Sequence, residues 1–466
     1  MTEKKFDLVV LGSGPGGYVA AIRAAQLGFT VAVVEKEDLG GVCLNWGCIP
    51  TKALLKSAEI FDNIKQAKKF GVISGETSID FPAMIRRSRQ IAARMSKGVQ
   101  YLFKKNNITL FNGHGKLVDQ NHLLITDASG KSLEKVSADR FIIATGASPR
   151  SIPGIEIDGK TIISSREAMS LEKLPQSLIV IGAGAIGVEF AYFYQTLGCQ
   201  VTLIEMLPNV LPIEDQEISE LLLRSFKKKK MQVYTGSRVQ QVKTVAGGVR
   251  VVVENDGGEQ ELEAELALMA IGVRGNIENI GLEETAVELE NGYIKVDSNY
   301  QTSVESIYAV GDIIGLPWLA HVASAEGIHA VEKLAGRDVQ PIDYSSIPGC
   351  TYCKPQVASI GLTELKALES GLAIKIGRFP FVANGRSIAA GESEGMVKLI
   401  FEADTEKLIG AHIIHSEATE LIGELAVIKT LGSKGHDLIK TIHAHPTLSE
   451  SIMEAAAAAF GEAIHG

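Results

Sequence analysis

A chain of 466 residues, 45% hydrophobic and 22% charged, reads as globular and long enough for about three domains. A net charge of −9 argues against a nucleic-acid surface, which needs clustered cations. Five cysteines are too few for a secreted disulfide framework. The most apolar run, Leu178 to Val188, is too short to span a membrane.

No signal or Arg-rich transit segment precedes the first strand, so a cytoplasmic protein is expected. That strand, Asp7 to Leu11, runs into the turn Gly12-Ser-Gly14-Pro-Gly-Gly17. A helix from Tyr18 to Leu27 is stopped by Gly28, and a second strand, Thr30 to Val34, ends at Glu35. In such a turn the first glycine makes the bend, the second admits a pyrophosphate, and the third lets helix and strand pack closely. The helix N-terminus offers unpaired N–H groups to the anion, and the closing carboxylate can accept from ribose hydroxyls.

Just beyond lies Gly40-Gly-Val-Cys43-Leu-Asn-Trp46-Gly-Cys48-Ile-Pro-Thr-Lys52, ahead of a helical run from Lys52 to Ile60. Two cysteines about a helical turn apart can close into a disulfide, and flanking glycines let the backbone approach a flat ring. The stretch therefore reads as a redox-active disulfide stacked on a flavin. Two small core residues or half a zinc site are the competing readings, but no second pair with zinc-like spacing lies close by, and no metal site is expected.

Phe61 to Asn106 reads as mostly helical, with Phe81-Pro82 opening one long helix. Ile108 to Val118 and His122 to Thr126 look like strands, with Gly113 and Gly115 at a turn. Phe141 to Ala144 looks like a short buried strand ending in Thr145-Gly146, and Ala147 to Pro153 like a linker.

The first pattern then recurs. Leu178 to Ile181 leads into Gly182-Ala-Gly184-Ala-Ile-Gly187, a helix from Val188 to Leu197, the stop Gly198, a strand from Val201 to Ile204, and Glu205. From Gly12 to Glu35 is 23 positions, as from Gly182 to Glu205. Two units in one register imply two dinucleotides, and a hydride relay is the simplest reason to own both. Glu205 would repel a 2′-phosphate, and no Lys or Arg follows until Arg224, which favours NAD over NADP.

Lys227 to Lys230 reads as the solvated end of a helix. Strands follow between Val233 and Val253 and from Leu266 to Gly272. Ile307-Tyr-Ala-Val-Gly311-Asp312 is another strand ending in glycine and a carboxylate, with a helix from Ala323 to Ala335. The last 120 or so residues alternate strands (Val357 to Ile360, Met396 to Phe401, Ala411 to Ile414) with helices (Glu420 to Thr430, Ser449 to Phe460), a separate α+β domain. Cys199 reads as core, and Cys350-Thr-Tyr-Cys353 as structural packing, with an accessory redox or metal role as the alternative.

The Cys43–Cys48 stretch, both turns, Ala144-Thr145-Gly146, Val310-Gly311-Asp312 and His443-Ala-His445-Pro-Thr-Leu-Ser-Glu450 occur in the order found in the pyridine nucleotide-disulfide oxidoreductases. The chain resembles that family over nearly its whole length. Its nearest resemblance is to members that oxidise protein-bound dihydrolipoamide with NAD for 2-oxoacid dehydrogenase complexes.

The resemblance implies an α/β fold of two Rossmann-like domains, for FAD and NAD, plus a C-terminal α+β dimerisation domain. It divides the chain as 1–147 (FAD-binding, first part), 148–273 (NAD-binding), 274–345 (FAD-binding or central, second part) and 346–466 (interface). It assigns Gly12, Gly14, Gly17, Glu35, Lys52, Gly115, Thr145, Gly146, Asp312, Ala320 and His321 to FAD, with Lys52 beside the flavin ring. Gly182, Gly184, Gly187, Glu205, Val239 and Gly272 fall to NAD, with Glu189 near the nicotinamide. It makes His445, oriented by Glu450, the base that serves the other subunit of a homodimer. Cys43 would meet the substrate and Cys48 the flavin.

No lipoyl-like domain precedes Phe6, so lipoyl groups are expected from a partner, the lipoyl domain of an E2 acyltransferase or the glycine-cleavage H protein. Trp46 stands where a smaller residue is expected, and Gly272-Val-Arg274-Gly replaces the usual Gly-Arg-x-Pro. The alternative within the fold is an NAD(P)H-dependent reductase of another small disulfide. Basic residues after Glu205 or a C-terminal vicinal Cys pair would mark glutathione-type or mercuric reductases, and neither is present.

Overall fold

The computed structural model describes residues 4–465. Its first sheet has the strand order Thr109–Asn112, Val31–Glu35, Lys4–Leu11, Ser132–Ile143, His122–Thr126 and His114–Leu117, and Ile307–Ala309 also pairs with Ser132–Ile143. The first four strands of that order are parallel, as is Ile307–Ala309, so a segment from beyond residue 300 completes the sheet begun at residue 4. Parallel strands need crossovers and coverage on both faces. The helix Pro15–Gln26 supplies the first crossover, and its alanines 20, 21 and 24 are fully buried.

A second sheet is wholly parallel, ordered Gln232–Tyr234, Gln200–Ile204, Ser177–Ile181, Leu266–Met269 and Ile162–Ile163. The antiparallel meander Arg238–Val245, Gly248–Asn255 and Gly258–Ala264 is attached to it in sequence. The C-terminal sheet is antiparallel, ordered Gly349–Thr351, Gln356–Gly361, Leu408–His415, Met396–Glu402 and Ile374–Pro380. Helices Ala418–Leu431 and Glu450–Ala459 pack with it around Phe379, Phe401, Leu425 and Ile452.

Four local expectations are corrected. The strand read as Phe141 to Ala144 is Ser132–Ile143, because its outer half has one wet face and lacks the continuous apolar signal. The supposed linker after Gly146 contains Ala147–Pro149, paired antiparallel with Val273–Gly275. Gly115 lies inside the strand His114–Leu117 rather than at a turn; a Cβ there would meet Leu11 Cδ1 at 2.5 Å. The helix expected from Lys52 begins at Cys48, which puts that cysteine at a helix N-terminus.

The C-terminal sheet is tied to the second dinucleotide unit through a buried lysine, with Arg378 pairing Glu217 beside it. Lys398, 1% exposed, reaches Asp215 at 2.8 Å, Glu217 at 2.5 Å and Glu364 at 2.6 Å. Asp215 also caps the helix Gln216–Lys228 by accepting from Glu217 N–H. Removing one partner of such a cluster strands buried charge. Lys398→Met should therefore cost roughly 3–5 kcal/mol, measured as a lower unfolding midpoint in urea, and a stability equal to the parent would refute the assignment.

Candidate active site

The two dinucleotide turns superimpose in their hydrogen bonds as well as their spacing. Gly12 N–H donates to Val34 O and Gly182 N–H to Ile204 O, both at 2.8 Å. A Cβ on Gly17 would lie 2.0 Å from Gly12 O, and one on Gly187 1.9 Å from Gly182 O, so neither position tolerates a side chain. A Cβ on Gly14 or Gly184 would meet nothing within 4 Å. Those glycines are the uncapped N-caps of helices Pro15–Gln26 and Ala185–Leu197. Each turn is thus an open cradle facing orphan N–H groups, the arrangement a pyrophosphate fills.

Glu35 and Glu205 do more than await ribose. Glu35 accepts from Ser13 N–H at 2.9 Å, Ser13 Oγ–H at 2.6 Å and Glu37 N–H at 2.9 Å. Glu205 accepts from Ala183 N–H at 2.7 Å and Leu207 N–H at 2.9 Å. Each carboxylate braces its own turn, and its remaining lone pairs are left for a ligand.

The cysteine segment sits directly on the first turn. Gly40 (φ 95°) donates to Ser13 O at 3.0 Å, and a Cβ on Gly41 (φ 58°) would lie 2.7 Å from Gly14 Cα. Cys43 follows on the short helix Gly41–Asn45 and Cys48 opens the helix Cys48–Gln66. Between them Gly47 O accepts from Thr51 N–H and, at 2.7 Å, Thr51 Oγ–H. The long helix Phe81–Lys105 braces the segment, with Ser88 donating to Pro50 O at 2.9 Å and Arg87 to Ala53 O at 2.9 Å.

Cys43 and Cys48 are both free cysteines in this structure. Their environments push them apart. The hydrogen bond from Cys43 lowers Cys48 to about 7 against its burial, with help from Lys52. The same bond, then burial, raises Cys43. Of the two, Cys48 is therefore the more acidic, and it stands at a helix N-terminus, where thiolates are stabilised.

Lys52 Nζ lies 2.9 Å from both carboxylate oxygens of Glu189, which is buried on the helix of the second turn. The sequence assigned these residues to different nucleotides, and the structure joins them. Asp312 is pushed up to about 6 by burial and by Glu326. It stands in the short turn Gly311–Ile314, whose Gly311 N–H donates to Glu326 at 2.7 Å. Thr145 and Gly146 are fixed by Asn276: Thr145 Oγ–H donates to its carbonyl at 3.0 Å, and Asn276 N–H donates to Gly146 O at 2.9 Å. Ala320 and His321 begin the helix Ala320–Leu334, three residues earlier than the sequence suggested. Burial lowers His321, whose Nε2 is 3.0 Å from Pro348 O. Val239 is buried beside Ile204 in the core of the second unit, and Gly272 (φ 111°) lies against the ring of Trp318.

At the C-terminus His445 Nδ1 is 2.9 Å from Glu450, whose other oxygen accepts from Thr447 N–H at 2.7 Å. Burial works to raise Glu450 but is overridden by these two bonds, so its carboxyl sits below the usual range. His445 is 80% exposed, whereas His443 is 6% exposed with both ring nitrogens engaged, by Glu424 and Thr441 O. Of the two, only His445 is free to take a proton from an incoming molecule.

Two arginines sit at Trp46, the residue that departed from expectation. Arg89 and Arg166 each place a guanidinium carbon 4.3 Å from the Trp46 ring centroid. Nothing in the sequence pattern pointed to either. Cys199 is buried and pushed up to about 12, which suits core packing. Among the described residues no group of three or more His, Cys, Asp or Glu is placed to hold a metal.

Two dinucleotide cradles with a dithiol seated on one of them define a two-nucleotide thiol–disulfide redox protein. Residues 6–327 match the pyridine nucleotide-disulphide oxidoreductases and residues 347–456 the dimerisation domain of the same proteins, and the chain belongs to that family. It is 46% identical to a dihydrolipoyl dehydrogenase of Rhizobium etli, with 99% of each chain covered. It is 43% identical to that of Bacillus subtilis, again with 99% of each covered. LpdA from Mycobacterium tuberculosis superposes with a TM-score of 0.90 at 30% identity, covering 97% of this chain and 99% of that one. No helix among the described residues is long and apolar enough to cross a membrane.

The glycines separate folding from binding. Gly187→Ala should fail to fold the second unit, since overpacking against Gly182 O has no outlet. Gly184→Ala should fold normally yet bind NADH at least about tenfold more weakly, because its methyl fills the cradle. Calorimetric titration with NADH checks both, and equal affinity in Gly184→Ala would show that the cradle is not the site.

Proposed function

We propose that the chain is an NAD-dependent dihydrolipoyl dehydrogenase, which oxidises protein-bound dihydrolipoamide to lipoamide and reduces NAD to NADH. The observation that carries this reading is the unequal Cys43–Cys48 pair seated on the first dinucleotide turn. Only a thiolate attacks a disulfide well, and the sulfur expelled fastest is that of the more acidic thiol. Attack on Cys43 expels Cys48, whose charge the Lys52 ammonium stabilises, and the hydrogen bond from Cys43 adds to this once the dithiol is complete.

His445, held by Glu450, takes the proton from the first substrate thiol. The thiolate bonds to the Cys43 sulfur, the Cys43–Cys48 bond breaks, and Cys48 leaves as thiolate. Cys43 then leaves with the electron pair of the mixed disulfide and takes the proton that His445 held, while the second substrate thiol, giving its own proton to the freed imidazole, closes lipoamide. Two electrons now rest on the cysteine pair. FAD, held by the first turn, Glu35, Lys52, Gly115, Thr145, Gly146, Asp312, Ala320 and His321, supplies the conversion of that dithiol pair into a hydride for NAD. The second turn, Glu205, Val239 and Gly272 hold NAD, with Glu189 at its nicotinamide end.

His445 and Glu450 serve the cysteines of the other subunit in a homodimer. Their exposure in the single chain and their place at the end of the dimerisation domain support this. The lipoyl group comes from an E2 acyltransferase or from the glycine-cleavage H protein, in the cytoplasm.

Turnover with dihydrolipoamide and NAD should exceed that with NADP or with glutathione by about a hundredfold or more, Glu205 excluding the 2′-phosphate. A preference for glutathione with NADPH would favour a different disulfide reductase. His445→Gln should cut dihydrolipoamide oxidation by about a hundredfold or more with the visible flavin spectrum unchanged. Undiminished turnover would place the base elsewhere.

A further inference from the structure

The hairpin Gly349–Thr351 and Gln356–Gly361 of the C-terminal domain turns through Tyr352-Cys-Lys-Pro355. The turn is cross-linked to three bodies. Lys354 Nζ lies 2.7 Å from Glu392 and donates to Asn63 Oδ1 on the cysteine-bearing helix at 3.2 Å. Lys229, from the basic run of the second unit, donates to Lys354 O at 2.5 Å. Tyr352 N–H donates to Glu189 at 3.0 Å, and Lys52 Nζ lies 4.3 Å from the centroid of the Tyr352 ring. The Lys52 ammonium is thus held on one side by a carboxylate and on another by an aromatic face.

We propose that Tyr352 is a positioning residue for Lys52, its ring face and main-chain N–H forming with Glu189 a socket that fixes the ammonium where it stabilises the Cys48 thiolate. This rests on the functional reading above and assigns a role to the Cys350-x-x-Cys353 motif. Cys350 packs into the C-terminal core, and Cys353 is buried in the core beneath the second unit with its S–H donated to Pro355 O at 3.0 Å. The two cysteines anchor the hairpin on either side of Tyr352 and aim it. Burial raises both thiols, Cys350 to about 11 and Cys353 to about 12, which leaves them poor nucleophiles and suits anchoring.

The physical link is electrostatic. An aromatic face attracts a cation, more strongly when water is excluded. Losing the face frees Lys52 to swing toward the adjoining cavity of about 450 Å³, where Glu59, Glu417 and Glu420 compete for it beside Lys56. Toward Cys48 itself the facing groups are Cys43, Lys52, Glu189 and Tyr352.

The test uses the FAD-loaded dimer reduced by two electrons, following the long-wavelength thiolate-to-flavin absorbance against pH. Tyr352→Phe should keep the parental midpoint. Tyr352→Leu should raise it, leaving about three- to tenfold less thiolate at a given pH. If the leucine variant fails to fold, phenylalanine analogues with one, two or three ring fluorines at position 352 weaken the ring face at nearly constant volume. The midpoint should then climb with each fluorine. A midpoint that stays put in folded Tyr352→Leu, or across the fluorine series, overturns the proposal even where activity or stability falls. A shifted midpoint in a protein inactive on dihydrolipoamide would instead leave Tyr352 its role and remove the substrate assignment.

Discussion

The dithiol can work beside a ring held by the first dinucleotide turn only if two stretches of backbone touch, and that contact exists because neither carries a side chain. Gly41 lies so close to Gly14 that a methyl group would press on its Cα, and Gly40 is hydrogen-bonded to Ser13 in the same turn. From this seat the geometry propagates in both directions. Cys43 follows two residues later, and the chain reverses through Gly47 so that Cys48 can open the next helix. Backward, the seat depends on Glu35 locking Ser13, whose carbonyl accepts from Gly40 N–H. A glycine pair, a carboxylate and a helix N-terminus thus place a sulfur pair without a single residue devoted to the sulfurs alone.

A second constraint is charge. The Lys52–Glu189 pair spans from the cysteine helix to the helix of the second turn, so one ion pair joins the parts of the chain that carry the two dinucleotide turns. Glu189 is nearly buried while Lys52 remains a third exposed. Removing either partner would leave the other poorly compensated. The field of the pair reaches both Cys48 and the Tyr352 ring. The Lys398 cluster plays the corresponding mechanical part farther out, holding the C-terminal sheet to the helix that begins at Gln216.

Much of this was legible in the chain because it depends on local rules. Each dinucleotide unit announces itself through glycine spacing, and the clash a Cβ would make with the Gly12 or Gly182 carbonyl is the reason Gly17 and Gly187 are fixed. His445 and Glu450 are five apart and meet through one short turn, so the sequence could pair them. What stayed hidden depends on residues far apart in the chain. Lys52 meets Glu189 across 137 positions and Tyr352 across 300, and no periodicity encodes either. The strand Ser132–Ile143 was cut short because its first half alternates wet and dry, a weaker signal than its buried end. Trp46 looked like an anomaly for the same reason. Arg89 and Arg166, which approach its ring, come from two helices, Phe81–Lys105 and Ser165–Ala168, that the sequence gives no cause to bring together.

The half-site at the C-terminus shows how such a protein can be assembled from two incomplete copies without a large ordering cost at the moment of assembly. Glu450 is already bound by Thr447 N–H and already holds the His445 ring by Nδ1. Its depressed carboxyl keeps the charge that orients and supports an imidazolium. The opposite ring nitrogen projects into solvent, unlike that of His443, which spends both nitrogens inside its own chain. On the proposed reading, an imidazole whose direction is already fixed by Glu450 in one subunit has only to be carried to the thiols of the other by the docking of the two chains. Preorganisation of this kind lowers what association must spend on ordering side chains. On the proposed reading it also makes the interface part of the catalytic apparatus, since the dimerisation domain carries both the base and the Tyr352 hairpin that touches Lys52.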